Sequence, residues 1–364
     1  MALLFIDSFD HYATADLTEK WTTNLSVAGN VVTSIAAGSG RRSSNSFRMA
    51  ISASATQSTA AGLQKVLAPA DATAVAGVSC LISSAAVLGT LGAALASVRD
   101  GATAQISLRL NPNLTLSVLR GAVNGTVLGT TTAALSAGVS AYLEWKTLIH
   151  PSAGTVDLRI NGASVLSLTA QNTRNTANSS WTAIALGTLD AAANIWAGTA
   201  ATGTLDFDDL YILDGTGAAP LNGFLGDCRV DARYPTAAGA TTGWTASTGA
   251  NWAAVDDPAP NDDTDYTAAA TTGLTDTFVV QDAPVAGAAI YGVQHCLSAK
   301  KTDAGTASIA PVVRHSGVDY VGGNLNPGTA YAVLLAIAAT NPGTSAAWTE
   351  AGFNAAEFGY KRTA

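Results

Sequence analysis

The stretch GTVDLRINGASVL, residues Gly154–Leu166, decides the fold of the N-terminal part of the chain. Apolar residues stand at every second position of Val156–Ile160, which is the period of a strand with one apolar face and one wetter face. Asn161-Gly162 is a turn dipeptide, and Val165–Leu168 then returns as a second strand. The stretch therefore predicts an antiparallel hairpin.

The same alternation occurs on both sides of this hairpin. Ile106–Leu110 and Leu114–Val118 flank the turn residues Asn111-Pro112-Asn113, and Asn124-Gly125 predicts a tight type I′ turn. Tyr142–Trp145 fits the strand that comes before Gly154. These patterns extend the predicted sheet structure over most of the first two hundred residues.

One uncharged stretch, Ala72–Val98, is long enough to cross a bilayer. It is rich in Gly, Ser, Thr and Ala and contains few bulky residues. We therefore interpret it as two buried strands joined by a turn rather than as a membrane span.

The ends of the first domain are predicted to meet. Leu205–Gly215 reads as a closing strand that pairs with the N-terminal strand around Phe5–Phe9. A Gly-, Ala- and Pro-containing connector follows, and Leu225–Pro235 reads as a strand that begins the second domain. The predicted organisation is a domain over residues 1–217, a linker over 218–223 and a domain over 224–364.

The second domain is also predicted to be β, with a short helix near the C-terminus. Its predicted strands are Thr277–Val280, Ala288–Ser298, Ser308–Arg314 and Tyr331–Thr340, with Tyr360 on a final strand. Thr344 is a candidate cap for the helix, and the aromatic anchors are Trp348, Phe353 and Phe358. The fold class is thus all-β, with two β-sandwich or jelly-roll domains.

Composition and charge exclude several classes of function. Only 12% of the 364 residues are charged, the net charge is -8, and there is no basic tract, so nucleic-acid binding is not expected. Cys80, Cys228 and Cys296 are too far apart for a zinc site and are interpreted as small buried hydrophobes. The N-terminus lacks a basic region, so no secretory signal is expected.

A carboxylate cluster on one strand raises the possibility of a glycosidase. Asp206 and Asp208 share a strand face, and Asp209 follows them. Glycosidases use a pair of carboxyl groups, but these residues fall on the predicted closing strand. We expect them to be solvated carboxylates, and no catalytic residue is predicted.

A second acidic cluster is a weak candidate for a calcium site. Five carboxylates crowd one loop together with Asn261: Asp256, Asp257, Asp262, Asp263 and Asp265. Calcium takes six to eight oxygen ligands, but Pro258 and Pro260 interrupt the loop and the spacing is not that of an EF-hand. Carboxylates that cap backbone N–H groups in turns are the favoured interpretation, and no cofactor is predicted.

Four tryptophans are candidates for a sugar-stacking platform, for the core or for a subunit interface: Trp181, Trp196, Trp244 and Trp252. Tryptophan is an anchor residue both in cores and at interfaces. Core or interface is the favoured interpretation.

Two resemblances to known families follow from these stretches. Residues Gly154–Leu166 resemble the paired central strands of concanavalin-A-like, laminin-G-type jelly rolls. DDPAPNDDTDY (256–266), KKTDAGTAS (300–308), HSGVDYVGG (315–323) and NPGTSAAWTEAGFNAAEFGYK (341–361) together resemble the C-terminal β-domain of a family of tailed-bacteriophage structural proteins. The opening MALLFIDSFDHY is similar to the start of that family.

The second resemblance implies a non-enzymatic component of a phage virion, most readily of the tail or tail fibre. Its partners would be copies of itself and other virion proteins, and it would be assembled in the host bacterial cytoplasm, without membrane insertion. Three alternatives stay open: a carbohydrate-binding host-adhesion protein that holds a surface glycan, a capsid decoration protein, and a glycan depolymerase.

Overall fold

The computed structural model describes residues 3–198 and 201–364. The chain is nearly all β, as predicted, and it divides into two compact units. The first unit contains the residues up to Phe9 and Trp21–Val230; the second contains Asp10–Lys20 and Asp231–Ala364. The predicted linker, residues 218–223, falls inside the first unit.

The strands of the first unit lie in two antiparallel sheets. In chain order they are β1 Leu3–Asp7, β2 Thr23–Leu25, β3 Val31–Ala36, β4 Ser46–Ile51, β5 Ala61–Val66, β6 Thr73–Ile82, β7 Ala93–Asp100, β8 Thr103–Leu110, β9 Thr115–Arg120, β10 Thr126–Ala134, β11 Ala141–Leu148, β12 Gly154–Ile160, β13 Ala163–Gln171, β14 Ala183–Thr188 and β15 Gly203–Asp214. Short 3₁₀ turns lie at Arg41–Ser43 and Ala85–Val87.

An eight-stranded sheet has the order β13-β12-β11-β6-β15-β4-β3, with β1 paired to β15. A seven-stranded sheet has the order β10-β9-β8-β7-β14-β5-β2. The predicted hairpins β8–β9 and β12–β13 are confirmed, and so is the pairing of β1 with the closing strand β15. This arrangement is a jelly roll.

The core of the first unit lies between these two sheets. Trp145 and Val156 of the eight-stranded sheet line the same space as Ile106, Leu108 and Val118 of the seven-stranded sheet. Because side chains alternate along a strand, the residues between these positions point away from the core. The strand pairing therefore shows which side chains lie on the outer face of each sheet.

Aromatic packing fixes one end of the core. The ring of Trp21 lies 5.3 Å from Phe5, edge to face, and is stacked 6.0 Å from Phe9. The rings of Phe47 and Phe207 stack at 6.0 Å. Such pairs add about 0.5–1.5 kcal/mol each beyond the area that they bury.

The two turn predictions have different outcomes. Asn161 and Gly162 have φ values of 50° and 79°, so the predicted tight turn is confirmed. Asn124 and Gly125 do not have positive φ, so the type I′ turn predicted there is wrong; Gly121, with φ 91°, starts a wider loop instead. The carbonyls of Gly121 and Val123 in this loop accept hydrogen bonds from Ser107 and Arg109.

The uncharged stretch Ala72–Val98 contains β6 and β7 joined by a connection with a 3₁₀ turn, which confirms the prediction of two buried strands. Among the residues that the structure describes, no helix is long and apolar enough to cross a bilayer.

The second unit contains α1 Leu17–Lys20 and the 3₁₀ turns Thr14–Asp16 and Asn251–Ala254. Its strands are β16 Pro235–Thr242, β17 Thr245–Ala246, β18 Thr267–Ala268, β19 Thr275–Val280, β20 Val293–Ala299, β21 Ile309–His315, β22 Val318–Val321, β23 Ala332–Ala338 and β24 Glu357–Arg362, with α2 Glu350–Asn354. A five-stranded sheet has the order β16-β19-β24-β21-β22, while β17–β18 and β20–β23 form two-stranded sheets.

The short C-terminal helix is confirmed as α2. Its N-cap is Thr349, whose hydroxyl accepts a hydrogen bond from the Gly352 amide at 3.0 Å, so the cap predicted at Thr344 is wrong. Trp348, Phe353 and Phe358 pack in one cluster, as predicted. The strand predicted over Leu225–Pro235 is also wrong, because no strand begins there before Pro235.

A buried histidine lies in the second unit. The ring of His295 on β20 lies 5.6 Å from the ring of Phe358. Burial lowers the pKa of His295 from 6.5 to about 4. The unfolded chain therefore binds a proton between these values while the folded chain does not.

We predict that the second unit loses stability as the pH falls. The contribution of neutral His295 is complete above pH 6.5 and is lost progressively toward pH 4, by about 2–3 kcal/mol at pH 4.5. Denaturant unfolding at pH 7 and 4.5 measures this loss. His295→Leu should reduce the loss, and His315→Leu, at the end of β21, is the control for removal of an imidazole; an unchanged pH dependence in His295→Leu would contradict the assignment.

Candidate functional site

The carboxylates predicted on one strand face lie on β15, on the outer face of the eight-stranded sheet. Phe207 points into the core, so Asp206 and Asp208 point outward, and both are buried rather than solvated. Asp208 pairs with Ser79, but the next pair is Tyr211 with Gly77. This extra residue is a β-bulge, in which Asp209 has φ 53° and is also buried.

Arginines and backbone amides surround these carboxylates. Arg48 Nε lies 2.6 Å from Asp206 Oδ1, and Arg41 Nη1 lies 3.0 Å from Asp209 Oδ2. The Arg41 amide and the Ser44 hydroxyl donate to Asp208 Oδ2 at 2.7 and 2.8 Å. The turn around Arg41 is therefore held against β15 by the charges that it compensates.

A glutamate and two tyrosines extend this group across the sheet. Tyr211 donates its hydroxyl hydrogen to Glu144 Oε1 at 2.6 Å, and Tyr142 donates to the Asp209 carbonyl at 3.0 Å. Gly77 makes room for these rings, because a Cβ there would come within 2.2 Å of Tyr211. We call this group, together with Arg41, Asp208 and Asp209, the charged face.

The segment Asn222–Val230, here called the strap, covers the charged face. The amides of Leu225, Gly226 and Val230 donate to Tyr211 Oη, Glu144 Oε1 and Asp209 Oδ1 at 3.2, 2.8 and 2.7 Å. These bonds run to side chains rather than to a neighbouring strand, which explains why the predicted strand does not form there.

Burial shifts the proton equilibria of the charged face. Desolvation and the neighbouring Asp209 raise the pKa of Asp208 to about 7. Burial, with nearby Glu144, also raises the pKa of Tyr211, and burial raises the pKa of the Cys228 thiol to about 12. A carboxyl group that titrates near neutrality can exchange protons, but both oxygens of Asp208 are occupied by internal donors.

A different polar group lies on the outer face of the seven-stranded sheet. Arg109 of β8 is directly opposite Ser117 of β9, which is opposite Thr130 of β10. Arg109 Nε donates to Asn111 Oδ1 at 3.0 Å, and Nη1 donates to the Val123 carbonyl at 3.1 Å. Asn111 donates to Ser117 Oγ at 2.8 Å, and the hydroxyls of Ser117 and Thr130 lie 2.8 Å apart.

Arg109 has no carboxylate within ion-pair distance among the residues that the structure describes. Burial alone lowers its pKa, with no charged neighbour contributing. Sequence reasoning missed this residue and also Glu144, Tyr211 and Arg41. The available signal was a polar residue at an outward position in an otherwise apolar strand, as in AYLEWKTL and AQISLRL.

The acidic loop of the second unit makes internal contacts. Asn261 Nδ2 donates to Asp257 and Asp265, and Asp263 pairs with Lys300 at 2.6 Å. Asp256 and Asp262 belong to the same loop. In the described part of the chain, no three His, Cys, Asp or Glu side chains are placed to hold a metal ion together.

The four predicted tryptophans lie in packed positions. Trp181 and Trp196 are 1% and 0% exposed, and their indole N–H groups donate to the carbonyls of Thr73 and Thr59. Trp244 and Trp252 are half-buried against the cluster of Phe278, Ile309 and Tyr360 in the second unit.

Comparison with solved structures finds an alginate lyase, a cellulose-induced protein and a glycoside hydrolase domain among the similar chains. An alginate lyase in complex with alginate trisaccharide is 12% identical, with 58% of this chain and 98% of that chain covered and a TM-score of 0.40. A cellulose-induced protein is 13% identical, with 53% and 90% covered and a TM-score of 0.39. The catalytic domain of a glycoside hydrolase family 131 protein from Coprinopsis cinerea is 13% identical, with 62% and 99% covered and a TM-score of 0.38.

No family model and no curated protein matches the sequence. The prediction of a non-enzymatic phage virion protein is contradicted: no family or homologue evidence supports a phage protein, and the similar structures include polysaccharide lyases and glycoside hydrolases. Residues 256–266 and 300–307, which carried much of that resemblance, form turns and loops. Such stretches reflect the needs of a turn and identify no family.

We predict that Asp208 destabilises the first unit at high pH. Its folded pKa, about 7, is raised above the ordinary value of 3.8, so stability is greatest below pH 3.8 and declines as the pH rises to 7. Asp208→Asn cannot ionise, so its stability relative to the unaltered protein should rise by about 2–4 kcal/mol between pH 4 and 8. Denaturant unfolding measures this change.

The matched control is Asp157→Asn, on β12 in the same sheet. It removes a carboxyl group from the outer face of the same sheet, and the rise for Asp208→Asn should exceed any rise that it shows. A flat profile for Asp208→Asn would contradict the raised pKa.

Proposed function

We propose that the chain binds an acidic polysaccharide through the outer face of its seven-stranded sheet, with Arg109 as the central contact. The supporting observation is that Arg109 is half-buried and has no carboxylate partner in the described part of the chain. A partly desolvated charge without a counter-charge is unfavourable. A carboxylate on a ligand would supply that counter-charge.

The chemistry of the guanidinium group favours a carboxylate over a neutral group. Arginine presents its N–H groups in a planar fork that matches a carboxylate with two parallel hydrogen bonds. Nε and Nη1 of Arg109 already donate to protein acceptors. Nη2 makes no such contact with described residues, so it is available to the ligand. The second hydrogen of Nη1 can be donated to the same ligand carboxylate.

The residues around Arg109 suit the rest of a sugar chain. Asn111, Ser117 and Thr130 add an amide and two hydroxyl groups, which can donate to or accept from sugar hydroxyls. Because neighbouring strands lie about 4.8 Å apart, the row from β8 to β10 spans about 10 Å. A uronic-acid polymer combines ring hydroxyls with one carboxylate per residue and so fits this row.

Arg109 is the one cationic residue among the described residues of this row, so it dominates the electrostatic part of the binding free energy. The chain carries a net charge of -8, so long-range attraction does not steer a polyanion to it. Binding therefore depends on the local contacts of Arg109 and its neighbours, and it should weaken only moderately with added salt.

We predict that Arg109→Gln weakens binding to a polyuronate at least tenfold, because a charge-assisted hydrogen bond contributes about 1.5–3 kcal/mol. Isothermal titration calorimetry with alginate or polyglucuronate oligomers measures the change. Arg314→Gln, on β21 of the second unit, is the matched control and should bind as the unaltered protein does. The length of the polymer after incubation shows whether binding is followed by cleavage.

A neutral glucan of the same length separates acidic-polysaccharide binding from general sugar binding. It should bind the unaltered protein more weakly than the polyuronate and should be nearly insensitive to Arg109→Gln. Equal affinity of Arg109→Gln and the unaltered protein for the polyuronate would refute the proposal.

A further inference from the structure

The strap interacts with the charged face as an extended ligand interacts with a groove. Three of its amides donate to side-chain oxygens of the sheet, as described above. Two of its carbonyls accept from side chains: Asn222 from Lys146 Nζ at 3.1 Å and Cys228 from Arg41 Nη1 at 3.1 Å. Side chains of the sheet and of the Arg41 turn therefore bond to both N–H and C=O groups of the strap's main chain.

Two side chains of the strap are recognised as well. The guanidinium of Arg159 lies 4.2 Å from the ring centroid of Phe224, a cation–π contact. Arg41 Nη2 lies 2.6 Å from Asp227 Oδ1. Arg159 and Arg41 together thus select an extended segment with an aromatic residue three positions before an acidic one.

We propose that the outer face of the eight-stranded sheet is a binding groove for an extended peptide of this pattern, and that the strap occupies the groove in cis. The partner is a protein segment that presents Phe-x-x-Asp in extended conformation. This proposal is independent of polysaccharide binding, which uses the other sheet.

The strap is held in a way that permits exchange. It adds no rungs to the sheet ladder, because no strand lies between Asp214 and Pro235. The side chain of Asp227 is 48% exposed, so its ion pair with Arg41 contributes at most about 1 kcal/mol. When the strap leaves, water replaces its contacts with Arg41 and Glu144, which reduces the cost of release.

One buried atom indicates that the strap does not use every group in the groove. Glu144 is fully buried, and its Oε2 makes no hydrogen bond, although Oε1 accepts from both Tyr211 and Gly226. A buried carboxylate oxygen without a donor is unfavourable. A competing peptide with a donor side chain near this position gains a contact that the strap lacks.

The test uses a peptide that spans residues 221–231, with Cys228→Ser to prevent disulfide exchange, since only the carbonyl of Cys228 is used. Its partner is the double variant Phe224→Ala with Asp227→Asn, in which the strap keeps its length but loses both recognised side chains. We expect the labelled peptide to bind this variant at least tenfold more tightly than the unaltered protein, measured by fluorescence anisotropy. A scrambled peptide should bind neither.

Two further arms assign the contacts. The peptide carrying Asp227→Asn should bind the double variant more weakly by up to about fivefold, because it loses the pair with Arg41. Adding Arg159→Gln to the double variant should also weaken binding, whereas adding Arg174→Gln should not. If the double variant keeps its circular dichroism spectrum and melts cooperatively but does not bind the peptide, the proposal is wrong.

Hydrogen exchange on the unaltered protein tests release of the strap without any substitution. The amides of Leu225, Gly226 and Val230 should exchange at least a hundredfold faster than the ladder amides of β6 and β15, because the strap opens without unfolding of the sheet. Protection equal to that of the ladder would overturn the proposal, whatever the behaviour of the double variant.

Discussion

The burial of four carboxylates on one face of a sheet is the constraint on which the arrangement of the first unit depends. Asp206, Asp208, Asp209 and Glu144 are all buried on the outer face of the eight-stranded sheet. A buried charge is costly unless hydrogen-bond donors or opposite charges compensate it. Arg48 supplies them to Asp206, and the arginine turn around Arg41 and the strap supply them to the other three, so the positions of both segments follow from the carboxylates beneath them.

The bulge in β15 makes this arrangement possible. Without the extra residue, the strand would alternate regularly and Asp209 would point into the apolar core. With it, Asp208 and Asp209 both remain on the charged face, and Tyr211 is aligned with Gly77, the position that leaves room for its ring. One inserted residue thus keeps the polar side chains of β15 on the outer face and the apolar ones in the core, although both faces of the strand are buried.

The hairpins and the closing strand could be predicted from the sequence because their signals are local. Alternation along β8, β9 and β12 and the dipeptide Asn161-Gly162 act within a few residues of each other. The strap could not be predicted in this way, since Leu225–Pro235 alternates like a strand but its amides bond to Glu144 and Tyr211, which are distant in the sequence. The role of Arg109 could not be predicted for a related reason. The sequence of one strand does not show whether a carboxylate from another strand lies beside its arginine.

The two outer faces of the jelly roll differ in how far the chain satisfies its own charges. On the charged face, Arg41 and Arg48 form ion pairs with carboxylates, and the strap bonds to most of the remaining polar groups. Any external ligand must therefore first displace a segment of the chain. On the opposite sheet, Arg109 is held by neutral acceptors alone. An external anion therefore gains more there, because it brings a counter-charge that the described residues do not provide. A desolvated charge requires a partner. On one face the protein's own backbone provides that partner, and on the other face Arg109 remains available to a ligand from solvent.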